Sequence, residues 1–597
     1  MTIYSAPTQE SWFVLRHVIG IDAHSRLPGY EQMDEGSVTA VLEGVGRMVA
    51  DVLAPLNRAG DVQGCTRHPD GSVSTPDGFR DAWTQWVEAG WPTLEGDPAY
   101  GGMGLPKVIA TAAAEYVLSA NQSFETYTGL TAAAIAAIEA SAPDDIKALY
   151  LPRMVEGIWS GTMNLTEPHC GTDLGLLRTR AEPIGDGRYA VTGTKIFITG
   201  GEQDLTENIV HLVLARLPDA PPGVRGISLF LVPKFLPDDA GEPGARNAVS
   251  CGSVEHKMGL RGSATCAMDY DGATGWLLGE PHKGLAAMFV MMNAARLAVG
   301  LQGVAQAEVA FQNARAYALE RRQGRAGRGT PDPAAPADLL IAHPDVRRML
   351  MEAKAYTEGL RALCLWCAHL VDVSHGDPDV DERAAAEGTL ALLTPVIKAF
   401  ASDKGFETTI NCQQIWGGHG YISENGMDQF VRDARIAMIY EGANGVQAMD
   451  LVGRKLGAGQ GRPFARYLED ISGLVEGCRD HPVLADIAMP LGASVERLAD
   501  TATWLAQAGT DNPDDAGAGA TAFLHLLGTV ALGAIWLRMA RAATRLTASD
   551  GYSQAWLDAK VETARFYAAR MLPETLALAA KVRAGSASVM AIPANLI

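Results

Sequence analysis

The sequence lacks the glycine patterns with which the common nucleotide-binding folds hold phosphate groups. Neither G-x-G-x-x-G nor G-x-x-x-x-G-K-[ST] occurs where a dinucleotide-binding or P-loop fold would place it. A nucleotide cofactor would therefore need a different kind of site.

Positive charge is also scarce. The net charge is -20, and residues 456–597 carry about as many acids as bases, without a basic run. We therefore expect no binding to nucleic acid and no broad attraction to anionic membranes. No N-terminal segment joins a basic start to an apolar run, so no secretory signal is expected. The apolar stretch Phe523 to Leu537 is too short for a membrane span and predicts a buried helix.

Cysteine is sparse, with eight residues scattered over 597. Such spacing does not form a disulfide framework, so the cytoplasm is the expected compartment. Cys364 and Cys367 form one C-x-x-C inside a helical pattern. Without a second pair nearby, packing is a better interpretation than zinc or redox chemistry, and no metal site is predicted.

What is present is typical of a large soluble protein. Hydrophobic residues make up 47% of the chain and charged residues 20%, enough for several domains with buried cores. Apolar residues follow helical spacing to about residue 160 and again from about residue 285, whereas the stretch between them alternates and is rich in β-branched residues. The fold class predicted is α+β, mainly α, with a central antiparallel β domain.

Five segments follow from these changes of period. They are an N-terminal extension, a helical domain, a β domain, a second helical domain and an additional C-terminal helical domain, at residues 1–40, 41–160, 161–282, 283–456 and 457–597. Trp12, Phe13 and Leu15 are expected to hold the extension against the body of the protein.

The stretch from Tyr440 to Gln447 is the most informative for chemistry. Glu441 stands between an aromatic residue and Gly442, with apolar residues on both sides. Burial of a carboxylate there would disfavour its charged form and raise its pKa, as a general base requires. These residues alone also allow Glu441 to cap an exposed helix start.

Four stretches in order resemble the acyl-CoA dehydrogenase family. Besides Tyr440 to Gln447, they are Met163-Asn-Leu-Thr-Glu-Pro-His-Cys-Gly-Thr-Asp173, Lys195-Ile-Phe-Ile-Thr-Gly-Gly201 and Gln413-Gln-Ile-Trp-Gly-Gly-His-Gly-Tyr421. The resemblance implies non-covalent FAD, held between the β domain and the second helical domain with help from a neighbouring subunit.

The resemblance also implies a set of site residues. The catalytic base would be Glu441, and Ala295 stands where some branches carry the base instead. Substrate would contact Arg296, Thr172 and Gly442. The cofactor-binding residues implied are Met163, Leu165, Thr166, Gly171, Thr172, Phe197, Ile198, Thr199, Arg321, Gln414, Gly417, Gly418 and Asn444.

Simpler interpretations stay open for several of these residues. The strand from Lys195 to Thr199 alternates as an ordinary core strand would, Arg321 could end a solvated basic helix, and Gly417-Gly418 is also a loop signal. Two positions depart from the family: Ala443 stands where threonine is common, which weakens the expected phosphate contact, and His169-Cys170 is an unusual pair.

The function implied is α,β-dehydrogenation of an acyl-CoA, with Glu441 taking the α-proton, flavin N5 the β-hydride, and an electron-transferring flavoprotein the electrons. The length of the chain resembles a long branch whose substrates include medium- and long-chain fatty acyl-CoA and 3-methylmercaptopropionyl-CoA. An acyl-CoA oxidase and a flavin-bearing DNA-binding relative are the alternatives. A homodimer is expected, because the C-terminal addition would cover the surface that smaller relatives use to form tetramers.

Overall fold

The computed structural model describes residues 2–327 and 332–597, apart from the side chains of Val290, Asn293 and Ala294. Its packed elements form two compact units. One unit contains residues 1–42, 106–115 and 299–597, and the other contains residues 43–105 and 116–298. This division follows packing, whereas the five predicted segments follow chain order, and their boundaries stay a prediction.

Helices dominate, as predicted from the spacing of apolar residues. The N-terminal helices are α1 Thr8–Phe13, α2 Glu35–Met48, α3 Ala54–Gln63, α4 Phe79–Glu88, α5 Lys107–Ser141 and α6 Asp144–Val155. After the sheet come α7 Gly284–Glu320, α8 Pro344–Gly376, α9 Val380–Val396, α10 Ser402–Ile415, α11 Met427–Ala434 and α12 Asn444–Asp450. The C-terminal helices are α13 Arg462–Glu476, α14 Ala485–Asp511, α15 Pro513–Ala543, α16 Gln554–Arg570, α17 Glu574–Arg583 and α18 Ala587–Met590.

The strands lie between α3 and α7. They are β1 Thr66–Arg67, β2 Val73–Ser74, β3 Trp159–Asn164, β4 Arg180–Gly185, β5 Arg188–Thr199, β6 Asn208–Arg216, β7 Ile227–Pro233, β8 Phe235–Pro237, β9 Pro243–Arg246, β10 Val249–Val254 and β11 Thr265–Leu278. The main sheet has the order β10-β11-β5-β4-β6-β3, and β7 pairs with both β11 and β6. Five strands therefore form a closed ring of pairings.

Two pairings differ from the antiparallel domain predicted, since β3 and β4 each run parallel to β6, the latter at a single residue pair. β3 runs parallel to β6, with Trp159 opposite Asn208, and only the other long ladders are antiparallel. Two intervening strands separate β3 from β6 along the chain, which gives the connection length that a parallel pair requires.

The C-terminal helix α15 is a core element. It is long and apolar enough to cross a membrane by length and composition alone, but 83% of its most apolar part is buried. In a second apolar stretch, Val380–Ile415, 67% of the most apolar part is buried. The buried-helix prediction for Phe523 to Leu537 is therefore confirmed.

The N-terminal extension is tied down by the residues predicted to do so. Phe13 and Leu15 are fully buried and Trp12 nearly so. Phe13 lies edge-on to the ring of Trp556 on α16, with 5.1 Å between ring centroids.

Candidate functional site

Glu441 lies in a short loop just before α12, in a backbone conformation that side chains disfavour. Its φ is +54°, a left-handed value that costs a non-glycine residue about 1–3 kcal/mol and is concentrated at functional sites. Helix α12 begins at Asn444 with Ala443 as its N-cap, so the interpretation of Glu441 as a helix cap is wrong. The side chain is half-buried, so this chain alone does not supply the complete burial expected from the sequence.

The loop that carries Glu441 is fixed by its neighbours. Gly442 has φ +89°, and a Cβ there would lie 2.4 Å from the side-chain nitrogen of Gln447. The buried Gln447 amide instead donates to the Gly442 carbonyl at 3.2 Å. Tyr440 Oη donates to Gln302 Oε1 at 2.5 Å. The position of Glu441 is therefore held from both sides in sequence.

Asn444 is engaged in the protein itself. Its Oδ1 accepts a hydrogen bond from Lys398 Nζ at 2.9 Å, and its Nδ2 donates to Asp403 Oδ1 at 2.7 Å and to Ser402 Oγ at 3.0 Å. The amide has no spare donor for a phosphate. The side chain anchors the start of α12, and the cofactor contact at Asn444 stays a prediction.

The β domain brings two predicted threonines onto neighbouring segments. Met163 is the penultimate residue of β3, which ends at Asn164, and Leu165 and Thr166 follow the strand. The Ile196 N–H donates to the Thr166 carbonyl at 2.9 Å, so this segment lies against β5, which ends at Thr199. Both threonines are half-buried, and no hydrogen bond from either hydroxyl to another described residue is present. These hydroxyls remain available to a bound molecule.

Phe197 is presented to the outside by an irregularity in β5. The register between β11 and β5 shifts there, so that Ile198 faces Cys266 but Lys195 faces Met268. Phe197 has φ +61° and its side chain is 60% exposed, whereas Ile198 next to it is buried in the core. A bulge that aims one aromatic ring outward is a recurring feature beside active sites. The core-strand interpretation therefore fits Ile198 but not Phe197.

A buried ion pair behind this surface was missed by the sequence reasoning. Lys195 Nζ donates to Glu167 Oε1 at 2.9 Å and to the Leu165 carbonyl at 3.0 Å, and both side chains are almost fully buried. Thr179 Oγ1 also donates to Glu167 Oε1, at 2.6 Å. Burial alone would raise the pKa of Glu167, but Lys195 and the hydrogen-bond donors hold it at about 2. The available signal was a lysine within an alternating strand.

Glu167, His169 and Cys170 offer ligand atoms within 4.8 Å of one another, but their chemistry does not suit a metal ion. The Glu167 carboxylate already carries the Lys195 ammonium, which would repel a cation. His169 Nε2 faces the Leu176 carbonyl at 2.9 Å, so this nitrogen donates a proton and cannot bind a metal. Burial raises the pKa of the Cys170 thiol, which disfavours the thiolate that a metal needs.

The predicted substrate contacts differ in exposure. Thr172 is exposed in the loop after β3, as is Gly171, a predicted cofactor contact, whereas Gly442 is half-buried. Arg296 is buried on α7. These three assignments stay predictions.

The ends of α7 and α10 form one exposed surface. Tyr317 on α7 stacks on Trp416 at 4.3 Å between ring centroids, and its hydroxyl lies 2.8 Å from His419 Nδ1. This contact brings together the exposed residues predicted to contact a cofactor, which are Arg321, Gln414, Gly417 and Gly418. In the described part of the chain no carboxylate forms an ion pair with Arg321. Tyr317 and Trp416 could have been noticed as aromatic residues within a turn of these positions.

Four models of protein families match consecutive parts of the chain. They are described as the N-terminal domain of acyl-CoA dehydrogenase at residues 39–158, its middle domain at 162–273, its C-terminal domain at 282–456, and an acetyl-CoA dehydrogenase C-terminal-like domain at 467–593.

Relatives of similar length are known. The chain is 43% identical over 580 residues to 3-methylmercaptopropionyl-CoA dehydrogenase of Ruegeria pomeroyi, covering 96% of each chain. It is 35% identical over 595 residues to the broad-specificity linear acyl-CoA dehydrogenase FadE5 of Mycobacterium tuberculosis, again covering 96% of each. The fold matches an acyl-CoA dehydrogenase complexed with FAD from Bacillus anthracis, with TM-score 0.74 and 21% identity over 96% of this chain and 91% of that one.

Proposed function

Because the chain belongs to the acyl-CoA dehydrogenase family, we propose that it oxidises the Cα–Cβ bond of an acyl-CoA thioester to the trans-2-enoyl-CoA, with Glu441 as the base. The protein is an oxidoreductase that acts on acyl-CoA, and its cofactor is FAD. The observation that carries the assignment of the base is the strained, hydrogen-bonded loop that fixes Glu441.

The residues of this chain fit a flavin. The hydroxyls of Thr166 and Thr199 have no protein partner among the described residues, and the exposed ring of Phe197 is available for stacking against a flat molecule. Arg321, a planar double donor, suits two phosphate oxygens of a neighbouring subunit's cofactor. When bound, FAD supplies the acceptor for the β-hydride.

Glu441 would take up the α-proton as the α-C–H bond breaks. The Gln447 and Tyr440 hydrogen bonds limit the movement of its loop, which reduces the entropy lost in reaching a reactive geometry. The half-buried position of Glu441 leaves room for a thioester to complete the exclusion of water. Substrate binding, rather than the chain alone, would then disfavour the charged carboxylate.

Two substrate classes are favoured by the relatives. 3-Methylmercaptopropionyl-CoA is the first choice, since the relative named for it is 43% identical, and linear fatty acyl-CoA of medium or long chain is the second. An electron-transferring flavoprotein is the proposed electron acceptor. A homodimer in the cytoplasm is the proposed state, and eight free cysteines support a reducing compartment.

Anaerobic bleaching of the visible flavin spectrum tests this function. Purified holoenzyme is titrated with 3-methylmercaptopropionyl-CoA, butyryl-CoA and palmitoyl-CoA, and a substrate is expected to bleach the flavin band and form the enoyl-CoA. No bleaching by any acyl-CoA would contradict the proposal. Admission of air then separates a dehydrogenase, which reoxidises slowly without its protein acceptor, from an oxidase. Salt-sensitive binding to duplex DNA would instead favour the DNA-binding alternative.

A further inference from the structure

His525, on helix α15 in the C-terminal region, contacts the hydrogen-bond network of Asn444, which anchors the start of α12 just after the loop of Glu441. Its Nε2 lies 2.9 Å from Asp403 Oδ2, and both side chains are 16% exposed. We propose that His525 is a positioning residue for the base, acting through Asp403 and Asn444. The proposal rests on the function assigned above to Glu441.

The chain of contacts is continuous. Asp403 Oδ1 accepts from Asn444 Nδ2 at 2.7 Å, and Asn444 is the third residue after Glu441. Since a carboxylate only accepts, His525 Nε2 must carry the proton in this contact. The Asp403 carboxylate thus joins α15 to the first residue of α12.

Charge makes this arrangement sensitive to the loss of one member. Lys398 is fully buried and donates to Asn444 Oδ1 at 2.9 Å, so Asn444 lies between an ammonium and the Asp403 carboxylate. Hydrogen bonds with a charged partner are stronger than neutral ones. Without His525, one oxygen of Asp403 loses its donor, and the carboxylate is free to rotate away from Asn444.

Close packing supports a defined position for His525. Lys398 and Phe400 lie in a π-helical turn, Ile397–Ala401, a feature frequent at functional sites. The Phe400 ring lies edge-on to the His525 ring, with centroids 5.5 Å apart. One turn further along α15, a Cβ on Gly528 would come within 2.6 Å of the Phe400 ring. Helix α15 therefore lies directly against the turn that holds Lys398.

The alternative is that His525 only attaches the C-terminal helices to the rest of the unit. Attachment and positioning predict different results for a matched set of variants. His525→Ala removes the donor, whereas His525→Gln places an amide nitrogen near the position of Nε2. His481→Ala is the control, because its Nδ1 only accepts the Val483 N–H in a turn of the C-terminal region, at 3.2 Å.

Three measurements on the purified holoenzyme decide between them. They are the FAD content with the thermal midpoint, hydrogen–deuterium exchange of the peptide covering residues 439–447, and the rate of flavin reduction at saturating acyl-CoA. We expect His525→Ala to keep FAD, and we expect His525→Gln, which fills the same space, to match His481→Ala in thermal midpoint. In His525→Ala, the peptide covering residues 439–447 should exchange faster. The rate of flavin reduction should fall by about tenfold, as expected when a base is displaced slightly from its reactive position. KM should change little, and His525→Gln should restore most of the rate.

Asp403→Asn provides an independent check of the route. If His525 acts through Asp403, the double variant should reduce its flavin no more slowly than Asp403→Asn alone, because coupled residues are not additive. Additive losses would contradict the route. The proposal would be overturned if His525→Ala changed neither the exchange of residues 439–447 nor the rate of flavin reduction. It would also be overturned if loss of FAD explained the whole loss of rate. If the wild type is bleached by no acyl-CoA, the proposed function fails, and exchange at residues 439–447 still tests the contact.

Discussion

Glu167 and Glu441 show how its surroundings determine what a glutamate side chain does. Glu167 is buried beside Lys195 and stays charged, because its donors are fixed. Glu441 is half-buried on a strained loop, and in the proposed function a bound acyl-CoA would complete its burial and disfavour the charged carboxylate. Glu167 therefore stabilises the fold, whereas Glu441 is the base that we propose.

Glu441→Gln should remove the base while leaving the shape of the site. FAD and acyl-CoA should still bind. The rate of flavin reduction should fall by roughly 10²–10⁴-fold or more, which is the effect typical of a lost general base, since Ala295 offers no replacement. Stopped-flow reduction measures this, and Glu424→Gln, at an exposed position, is the matched control. A rate near that of the wild type would place the base elsewhere, and loss of FAD would make Glu441 structural.

The buried pair predicts a pH dependence of stability. The folded pKa of Glu167 is about 2, below the ordinary value of about 4.3. Its contribution is therefore fully present above about pH 4.3 and is lost as the pH falls toward 2. The thermal midpoint of Glu167→Gln should lie well below that of the wild type at pH 6, and the gap should narrow at pH 3. A gap that stays constant between these pH values would show that Glu167 does not stabilise as a carboxylate.

At the scale of elements, the sequence predicted regular structure well. The alternating stretch from Lys195 to Thr199 is observed as part of the strand Arg188–Thr199. This strand follows the turn Gly185-Asp186-Gly187, whose three residues all have positive φ. The bulge at Phe197 was not predicted, since one inserted residue leaves no periodic trace. The Lys195–Glu167 pair joins residues 28 positions apart, and a network such as His525–Asp403 joins residues 122 apart. Contacts of this kind depend on tertiary structure.

The bulge in β5 predicts that Phe197 strains the folded backbone but strengthens the binding of FAD. Asparagine tolerates positive φ better than phenylalanine does, and the Phe197 ring is mostly exposed. Phe197→Asn should therefore leave the thermal midpoint of the FAD-free protein unchanged or slightly higher. It should weaken FAD binding by about 2- to 10-fold, the worth of one aromatic contact. Fluorescence titration with FAD measures the affinity. A lower midpoint with unchanged affinity would show that Phe197 serves the fold alone.

At the scale of the whole molecule, the ends of the chain belong to the same compact unit. Lys560 on α16 pairs with Glu10 near the N-terminus and with Glu358 on α8, and all three side chains are almost fully buried. Charges buried this deeply are stable only while they remain paired. The C-terminal helices are therefore part of the folded body, and His525 gives them a route to the loop of Glu441. The order of the domains along the sequence does not reveal this arrangement.

The assembly of the protein gives a test of the proposed site, which would be shared between two subunits. If Arg321 holds the cofactor of a neighbouring subunit, the base and this arginine of one working site come from different chains. Glu441→Gln and Arg321→Glu homodimers should each be inactive, the first without a base and the second without firm FAD binding. Dimers formed by co-expressing the two variants with different affinity tags should contain one intact site, because the Arg321→Glu chain keeps Glu441 and its partner keeps Arg321. The expected activity is about half that of the wild-type dimer per FAD-saturated dimer, as one of two sites is intact. Inactive mixed dimers would place Arg321 and Glu441 in the same site of one chain. An active Arg321→Glu homodimer would place Arg321 outside the cofactor site, and light scattering that shows an active FAD-bound monomer would show that no neighbouring subunit is needed.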